Sequence, residues 1–346
     1  MGAPGETDPP PPEINPTIED APTVVVLGIE TSCDETAAAV VSEEGILSDV
    51  VYTQTVHEAY RGVVPELAAR AHAEKITVVT REALARAGVE RPEAICATTG
   101  PGLIGALLVG ATFARSLALG WGLPFVAVNH LEGHLLSPLL ERPAPSFPFL
   151  GLVVSGGHTT LYLARALGEY EALASTVDDA AGEAYDKVAR ALSLGYPGGP
   201  LIDRLAATGD ASAVTLPRPK LKDSDDLSFS GLKTAVRQRV ESGLYRREDV
   251  AASFQEAVVD VLMDRVMRAV ERTGVSQVAL AGGVAANSAL RARVMTLPGV
   301  TAFVPARSRC TDNGAMIANA GRLRLLAGQR DPLNTPVRPN WPLERL

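Results

Sequence analysis

The chain is poor in cysteine: Cys33, Cys96 and Cys310 are the only three in 346 residues, and no CxxC spacing occurs. That excludes a disulfide framework and predicts a reducing, cytoplasmic setting. Positive charge is also in deficit, at a net −8, which argues against nucleic-acid binding driven by bulk electrostatics. The apolar runs, such as LIGALLVGATFA over 103–114, are interrupted by glycine and read as too short to span a bilayer. The acidic, proline-rich start carries no apolar leader, so neither secretion nor membrane association is expected. At 46% hydrophobic and 21% charged, the composition is that of a globular chain long enough for two domains.

Histidine is scarce as well, with five in the chain, and two of them sit four residues apart in VNHLEGHLLSPLL, 128–140. On a helix, His130 and His134 share one face and can bind a single divalent metal through neutral ring nitrogens. A helix with one exposed and one core histidine fits the same spacing. The zinc-protease pattern HExxH is absent, because Leu131 occupies the slot of its general base. Glu132 lies about 200° around a helix from His130 and is expected to point away from the pair.

Residues 1–22 read as a disordered tail. From Thr23, TVVVLGIETSCDETAAAVVSEEG reads as strand, polar turn, strand. Thr31, Ser32, Asp34 and Glu35 stand at its tip, suited to a phosphate or its metal, or to an ordinary hairpin turn. Cys33 reads as a small filler. A helix is predicted from Pro65 to Ala87 with Gly88 as its cap, followed by a strand, a TTGPG loop and an Ala/Gly-rich helix.

At 149 the opening pattern returns: FLGLVVSGGHTTLYLARA is again strand, small-residue turn, strand. Two such units about 125 residues apart predict two lobes built on one duplicated fold. Ser155, Gly156 and Gly157 would offer amides to a phosphate. Further on, a helix carries Asp186, which faces either a cleft or solvent, and Glu183 and Lys187, which pair on its surface. A PGGP turn centred on Gly198 and Gly199 precedes a helix bearing Asp203. The stretch with Lys220, Lys222, Lys233, Arg237 and Arg239 is either an RNA patch or a solvated loop and helix. A long amphipathic helix ends near Gly274. Asn287, after a Gly-Gly turn, either bonds a nucleoside or starts a helix. Asp312 is either a helix N-cap or the carboxylate that completes the histidine site.

The motifs GIETSCDETAAAV, RGVVPELAARAH, TTGPGLIGALLVG, NHLEGH, VSGGHT, AAGEAYDKVARALSLGYPGGP, DLSFSGLKTAV, AGGVAAN and TDNGAMIA together resemble the tRNA N6-adenosine threonylcarbamoyltransferase family (bacterial TsaD, formerly Gcp or O-sialoglycoprotein endopeptidase). The resemblance covers roughly 23–330, with Arg61 standing where a second glycine is expected. It implies an α/β fold of the two-lobed actin/Hsp70/sugar-kinase-like (ASKHA) kind, with duplicated RNase H-like lobes around a nucleotide cleft. The division expected is 23–140 for the first lobe, joined by 325–346, and 141–324 for the second. The resemblance also implies that His130, His134 and Asp312 bind one divalent metal, iron(II) first, with zinc or magnesium as alternatives. Val153, Val154, Ser155, Gly156, Gly157, Asp186, Gly199, Asp203 and Asn287 become the adenylate-binding positions. The implied reaction moves threonylcarbamoyl from threonylcarbamoyl-AMP to the adenosine just 3′ of the anticodon, in tRNAs reading codons that begin with A. The implied partners are tRNA, a TsaB-like paralogue, a TsaE-like small ATPase and a synthase that supplies the donor. The adenine amine is a poor nucleophile, and the hairpin tip offers Asp34, with Glu35 second, as its base. The alternatives are an ATP-dependent small-molecule kinase or ATPase on the same fold and a non-catalytic nucleotide sensor.

Overall fold

The computed structural model describes residues 24–60, 62–222 and 224–345. The expected tail, 1–22, and the departure at Arg61 lie outside these residues. The first half runs β1 (Val26–Glu30), β2 (Glu35–Ser42), β3 (Gly45–Thr53), α1 (Pro65–Ala87), β4 (Ala94–Gly100), α2 (Ile104–Trp121), β5 (Phe125–Asn129) and α3 (His130–Leu136). Its sheet has the order β3-β2-β1-β4-β5, with β1–β2 and β2–β3 antiparallel and β1–β4 and β4–β5 parallel. β1, β4 and β5 are buried along their whole length, as expected of parallel strands covered on both faces. α1 stops at Gly88, whose φ of 66° is the left-handed conformation that closes a helix.

The second half repeats the plan with β6 (Phe149–Val154), β7 (Thr159–Ala166) and β8 (Glu169–Ser175), then α4 (Ala181–Ala191), α5 (Gly198–Ala206), α6 (Ser230–Glu241) and α7 (Arg247–Thr273). It closes with β9 (Gln277–Ala281), α8 (Ser288–Met295), β10 (Thr301–Phe303) and α9 (Gly314–Leu326). Its sheet order, β8-β7-β6-β9-β10, matches the first sheet strand for strand, with the same parallel and antiparallel pairings. The duplication is therefore topological. What breaks its symmetry is the set α4–α7, inserted where the first half has α1 alone.

Three differences from the sequence reading have physical causes. The run beginning at Leu103 continues into an 18-residue helix, α2, which by length and composition is apolar enough to cross a bilayer. Its small inner face, Ala106, Gly110, Ala111, Ala114 and Ala118, is buried instead, and Ala106 O accepts a hydrogen bond from Thr31 at 2.9 Å. The amphipathic α7 is buried on more than one face, from Val250 and Phe254 to Val259 and Met263, because α5, α6 and α8 also pack against it. Finally, α9, which follows the second sheet along the chain, packs on the first sheet. A Cβ on Gly28 of β1 would stand 2.3 Å from Ala318 N, and one on Gly314 would stand 2.5 Å from Ala39 N. Only glycine permits so close an approach. α3 lies against α9 and β6, and a core of Val126, Leu135, Phe149, Met316 and Ile317 draws on both halves.

Candidate active site

Asn129, at the end of β5, begins the site. Its side-chain oxygen accepts from Leu131 N at 2.9 Å and Glu132 N at 3.3 Å, so α3 starts at His130. One turn later comes His134, and the two imidazoles meet edge to face with centroids 4.7 Å apart. Glu132 points away, as expected: it is fully buried, with Tyr170 Oη donating to it at 2.7 Å and Arg324 pairing with it at 2.7 Å.

Asp312 is not the N-cap of α9. Asn313 is, accepting from Met316 N at 2.9 Å, and this leaves the aspartate free to turn toward α3. Asp312 Oδ1 lies 3.0 Å from His134 Nε2 and 3.6 Å from His130 Nε2, and the three donor groups fall within 4.8 Å of one another. Two imidazoles and a carboxylate are a donor set suited to a divalent transition metal, with coordination positions left open. The reverse side of His130 is held as metal-ligating histidines usually are: Nδ1 is 3.0 Å from Glu30 Oε2 and 3.1 Å from Ser32 Oγ. His134 Nδ1 is buried with no hydrogen-bond partner among the described residues. These residues fit a bound metal.

The electrostatics are those of charges confined in a small volume. Burial alone would lower His130, but Asp312 and Glu30 outweigh it and raise the imidazole to about 9. Burial would raise Asp312, yet the two histidines hold it well below the usual carboxylate range. Glu30 is also buried, and the charge and hydrogen bond of His130 bring it below its ordinary value. Glu35 has no such cation. Burial, then the charges of Asp312 and Asp34 and a hydrogen bond with Asp34, push it up to about 10. At neutral pH the metal-free protein therefore keeps Glu35 protonated. Cys33 is half-buried and raised by burial and by Asp34, which makes it an inert filler, as expected.

The expected adenylate residues form two groups. Val153 and Val154 are core residues of β6 with no exposed surface, and they lead into a half-buried Ser155 and an exposed Gly156 and Gly157. Ser155 closes its own turn, accepting from His158 N at 3.1 Å and donating to His158 O at 2.8 Å. In the second group, Asp186 accepts from Gly198 N at 2.7 Å and so holds the PGGP turn, while a Cβ on Gly199 would meet open space. Asn287 is engaged within the fold. It caps α8 through Leu290 N at 3.0 Å, and its amide donates to Asp203 at 3.2 Å and Gln255 at 2.7 Å. Asp203 in turn accepts from Ser288 Oγ at 2.6 Å.

Sequence reasoning missed three residues that tie these parts together. His158 is lowered to about 4 by burial and by the nearby charges of His130 and His134, which puts the Ser155 turn beside the histidine site. Tyr196 is raised by burial and by Asp34 and Asp186, which links the PGGP turn to the β1–β2 turn. Glu30 carried a usable signal, a lone acid closing the otherwise apolar strand VLGIE. Three cations of the basic stretch are paired: Lys233 with Asp179 at 2.8 Å, Lys220 with Asp264 at 3.5 Å and Arg237 with Glu241 at 3.4 Å.

Two mixed sheets of one strand order, sharing a helical core and joining their turns at one site, define a protein of the two-lobed actin/Hsp70/sugar-kinase-like class. Full-length HypF in its phosphate- and nucleotide-bound form superposes with a TM-score of 0.60 at 15% identity, covering 88% of this chain and 46% of HypF. The activator of 2-hydroxyisocaproyl-CoA dehydratase from Clostridium difficile gives 0.51 at 14% identity, covering 88% of this chain and 97% of that one. At such identities the likeness shows the fold alone. The particular family comes from sequence. The family model for tRNA N6-adenosine threonylcarbamoyltransferase, TsaD, matches residues 45–319. The enzyme of that name from Aromatoleum aromaticum is 52% identical over 93% of this chain and 98% of its own length. The one from Bordetella avium is 51% identical over 93% and 99%. The chain belongs to the tRNA N6-adenosine threonylcarbamoyltransferase family and is a tRNA-modifying transferase. Nothing in these likenesses favours the kinase alternative.

Proposed function

We propose that this chain transfers threonylcarbamoyl from threonylcarbamoyl-AMP to the exocyclic amine of the adenosine 3′ of the anticodon, in tRNAs reading codons that begin with A. The observation that carries the reading is the convergence of His130, His134 and Asp312 beside the Asp34–Glu35 turn. The donor is already activated, so the work left to the protein is positioning and charge stabilisation. His130, His134 and Asp312 would hold a divalent metal, iron(II) first with zinc or magnesium as alternatives, which would supply Lewis acidity toward the donor.

The rest falls to the chain. The amine nitrogen bonds to the carbamoyl carbon, the bond from that carbon to the phosphate oxygen breaks, and AMP leaves. Asp34 takes the proton that the amine sheds, and the protonated Glu35 beside it supplies a hydrogen bond. The amides of Gly156 and Gly157 and the hydroxyl of Ser155 hold the departing phosphate, with Val153 and Val154 setting the strand from which they project. Asp186, Gly199, Asp203 and Asn287 bind the adenylate, with Asp186 anchoring the turn and Asp203 and Asn287 paired. With its net charge of −8, the chain binds tRNA together with a TsaB-like paralogue and a TsaE-like ATPase, in the cytoplasm, on donor made by a separate synthase.

The test is transfer to tRNA by the purified chain with these partners and preformed donor, comparing wild type with the His130→Ala/His134→Ala double variant. Transfer by wild type alone, with nucleotide binding kept in both, is expected. Transfer by both would remove the metal from the reading, and transfer by neither would remove the reaction.

A further inference from the structure

We propose that His72, on the inner face of α1, is the positioning residue for the Cys33–Glu35 turn; this rests on the reading of that turn as the source of the base. His72 has no exposed surface, and its ring is used at both ends. Nε2 lies 3.0 Å from Cys33 O, an acceptor only, so the proton sits on Nε2 and donates to that carbonyl. Nδ1 is then an acceptor, and Thr36 Oγ1 donates to it at 2.8 Å, with Gln54 Nε2 at 3.3 Å. The two bonds grip the turn on either side of Asp34 and Glu35.

A second buried histidine sets the direction of the network. His57 Nδ1 accepts from Val64 N at 3.3 Å, which leaves Nε2–H to donate to Gln54 Oε1 at 2.8 Å. That fixes the Gln54 amide with its nitrogen toward His72 and Ala68 O. Gln54 N donates to Asp34 O at 3.1 Å, so the carbonyls of Cys33 and Asp34 are both bound. Burial lowers His72 and keeps it neutral, in the one tautomer that serves both partners. The turn is thus held against α1 by His72 on one side and against α3 by the Glu30 and Ser32 contacts to His130 on the other.

Two replacements separate positioning from bulk packing. In His72→Gln the side-chain amide reaches the place of Nε2–H and keeps the bond to Cys33 O. In His72→Asn the side chain is shorter: it retains an acceptor for Thr36 and loses the bond to Cys33. With the full chain, its partners and preformed donor, His72→Gln, which gives up the Thr36 bond and keeps the one to Cys33, is expected within about tenfold of wild-type kcat. His72→Asn should lose about 100-fold in kcat, the scale of an ångström's misplacement, with KM for the donor and bound metal unchanged. Equal activity in the two variants, or losses that only follow melting temperature, would overturn the inference. Should His72→Asn not fold, the isosteric Thr36→Val carries the test: kcat about tenfold down is expected, and unchanged kcat overturns it. Asp34→Asn and Glu35→Gln run alongside. If Asp34→Asn is dead while His72→Asn turns over normally, the positioning role fails and the base reading stands. If both carboxyl variants turn over normally, the base reading has failed and takes the positioning role with it.

Discussion

The two sheets share one strand order, yet the turns that open them differ in every physical respect. The β1–β2 turn carries Ser32, Cys33, Asp34 and Glu35, is buried or half-buried, and is bound by side chains from α1 and α3. The β6–β7 turn carries Ser155, Gly156, Gly157 and His158, exposes both glycines, and closes on itself through Ser155 and His158. A duplicated scaffold has thus been divided by burial. Charges crowded into the first turn are perturbed and held in place, the condition for proton transfer. The amides of Gly156 and Gly157 on the open second turn are left for an anion.

That division can be broken at four points. The largest effect is expected at the first turn: Asp34→Asn should lower kcat by about 10²–10³, the range of a lost general base, in single-turnover transfer assays. Glu35→Gln should cost only about tenfold, because Glu35 already holds its proton and glutamine keeps a donor there. Comparable losses from the two variants would mean that the pair does not divide its roles. Next, Glu30→Gln should weaken metal binding by about 10–100-fold in competition with a chelating dye, since an amide orients His130 without its charge.

A pH dependence comes third. In chelator-stripped protein His130 titrates at about 9 when folded against 6.5 ordinarily, so its pairing stabilises fully below about 6.5 and is lost as pH rises through 9. Glu35, raised from 4.5 to about 10, works in the same direction, because the folded state holds the proton that the unfolded chain releases. The urea midpoint should therefore fall steadily from pH 6.5 to 9, and less steeply in His130→Ala; a flat profile would mean that the charges are not confined as described. The smallest effect belongs to the second turn. A Cβ on Gly156 meets nothing within 4 Å, so Gly156→Ala should leave the melting temperature within a few degrees and weaken adenylate binding only a few-fold by calorimetry.

Much of this was legible in the chain. The Pro65–Ala87 helix with its Gly88 cap, the strand–turn–strand repeat and the i,i+4 histidines are local patterns, and local patterns follow from backbone geometry over a few residues. The family followed from ordered motifs over most of the length. Less legible was which polar residue finds which partner. Asn287 gives no sign along the chain that Asp203 and Gln255 are its partners, and only packing brought them together. Asp312 and Asn313 are both good N-caps by type, and the register of α9 against the first sheet gave the cap to Asn313 and the histidines to Asp312.

The sequence by itself determined the elements, the duplication and the residue types of the site, because periodicity, turn chemistry and motif order are encoded along the chain. Only the tertiary structure decided that α9 crosses to the first sheet, that Glu30 stands behind His130, and that His72 grips the turn of Asp34 and Glu35. Those contacts join residues 36 to 100 or more positions apart. Their strength comes from burial, which exists only once both sheets have closed around them.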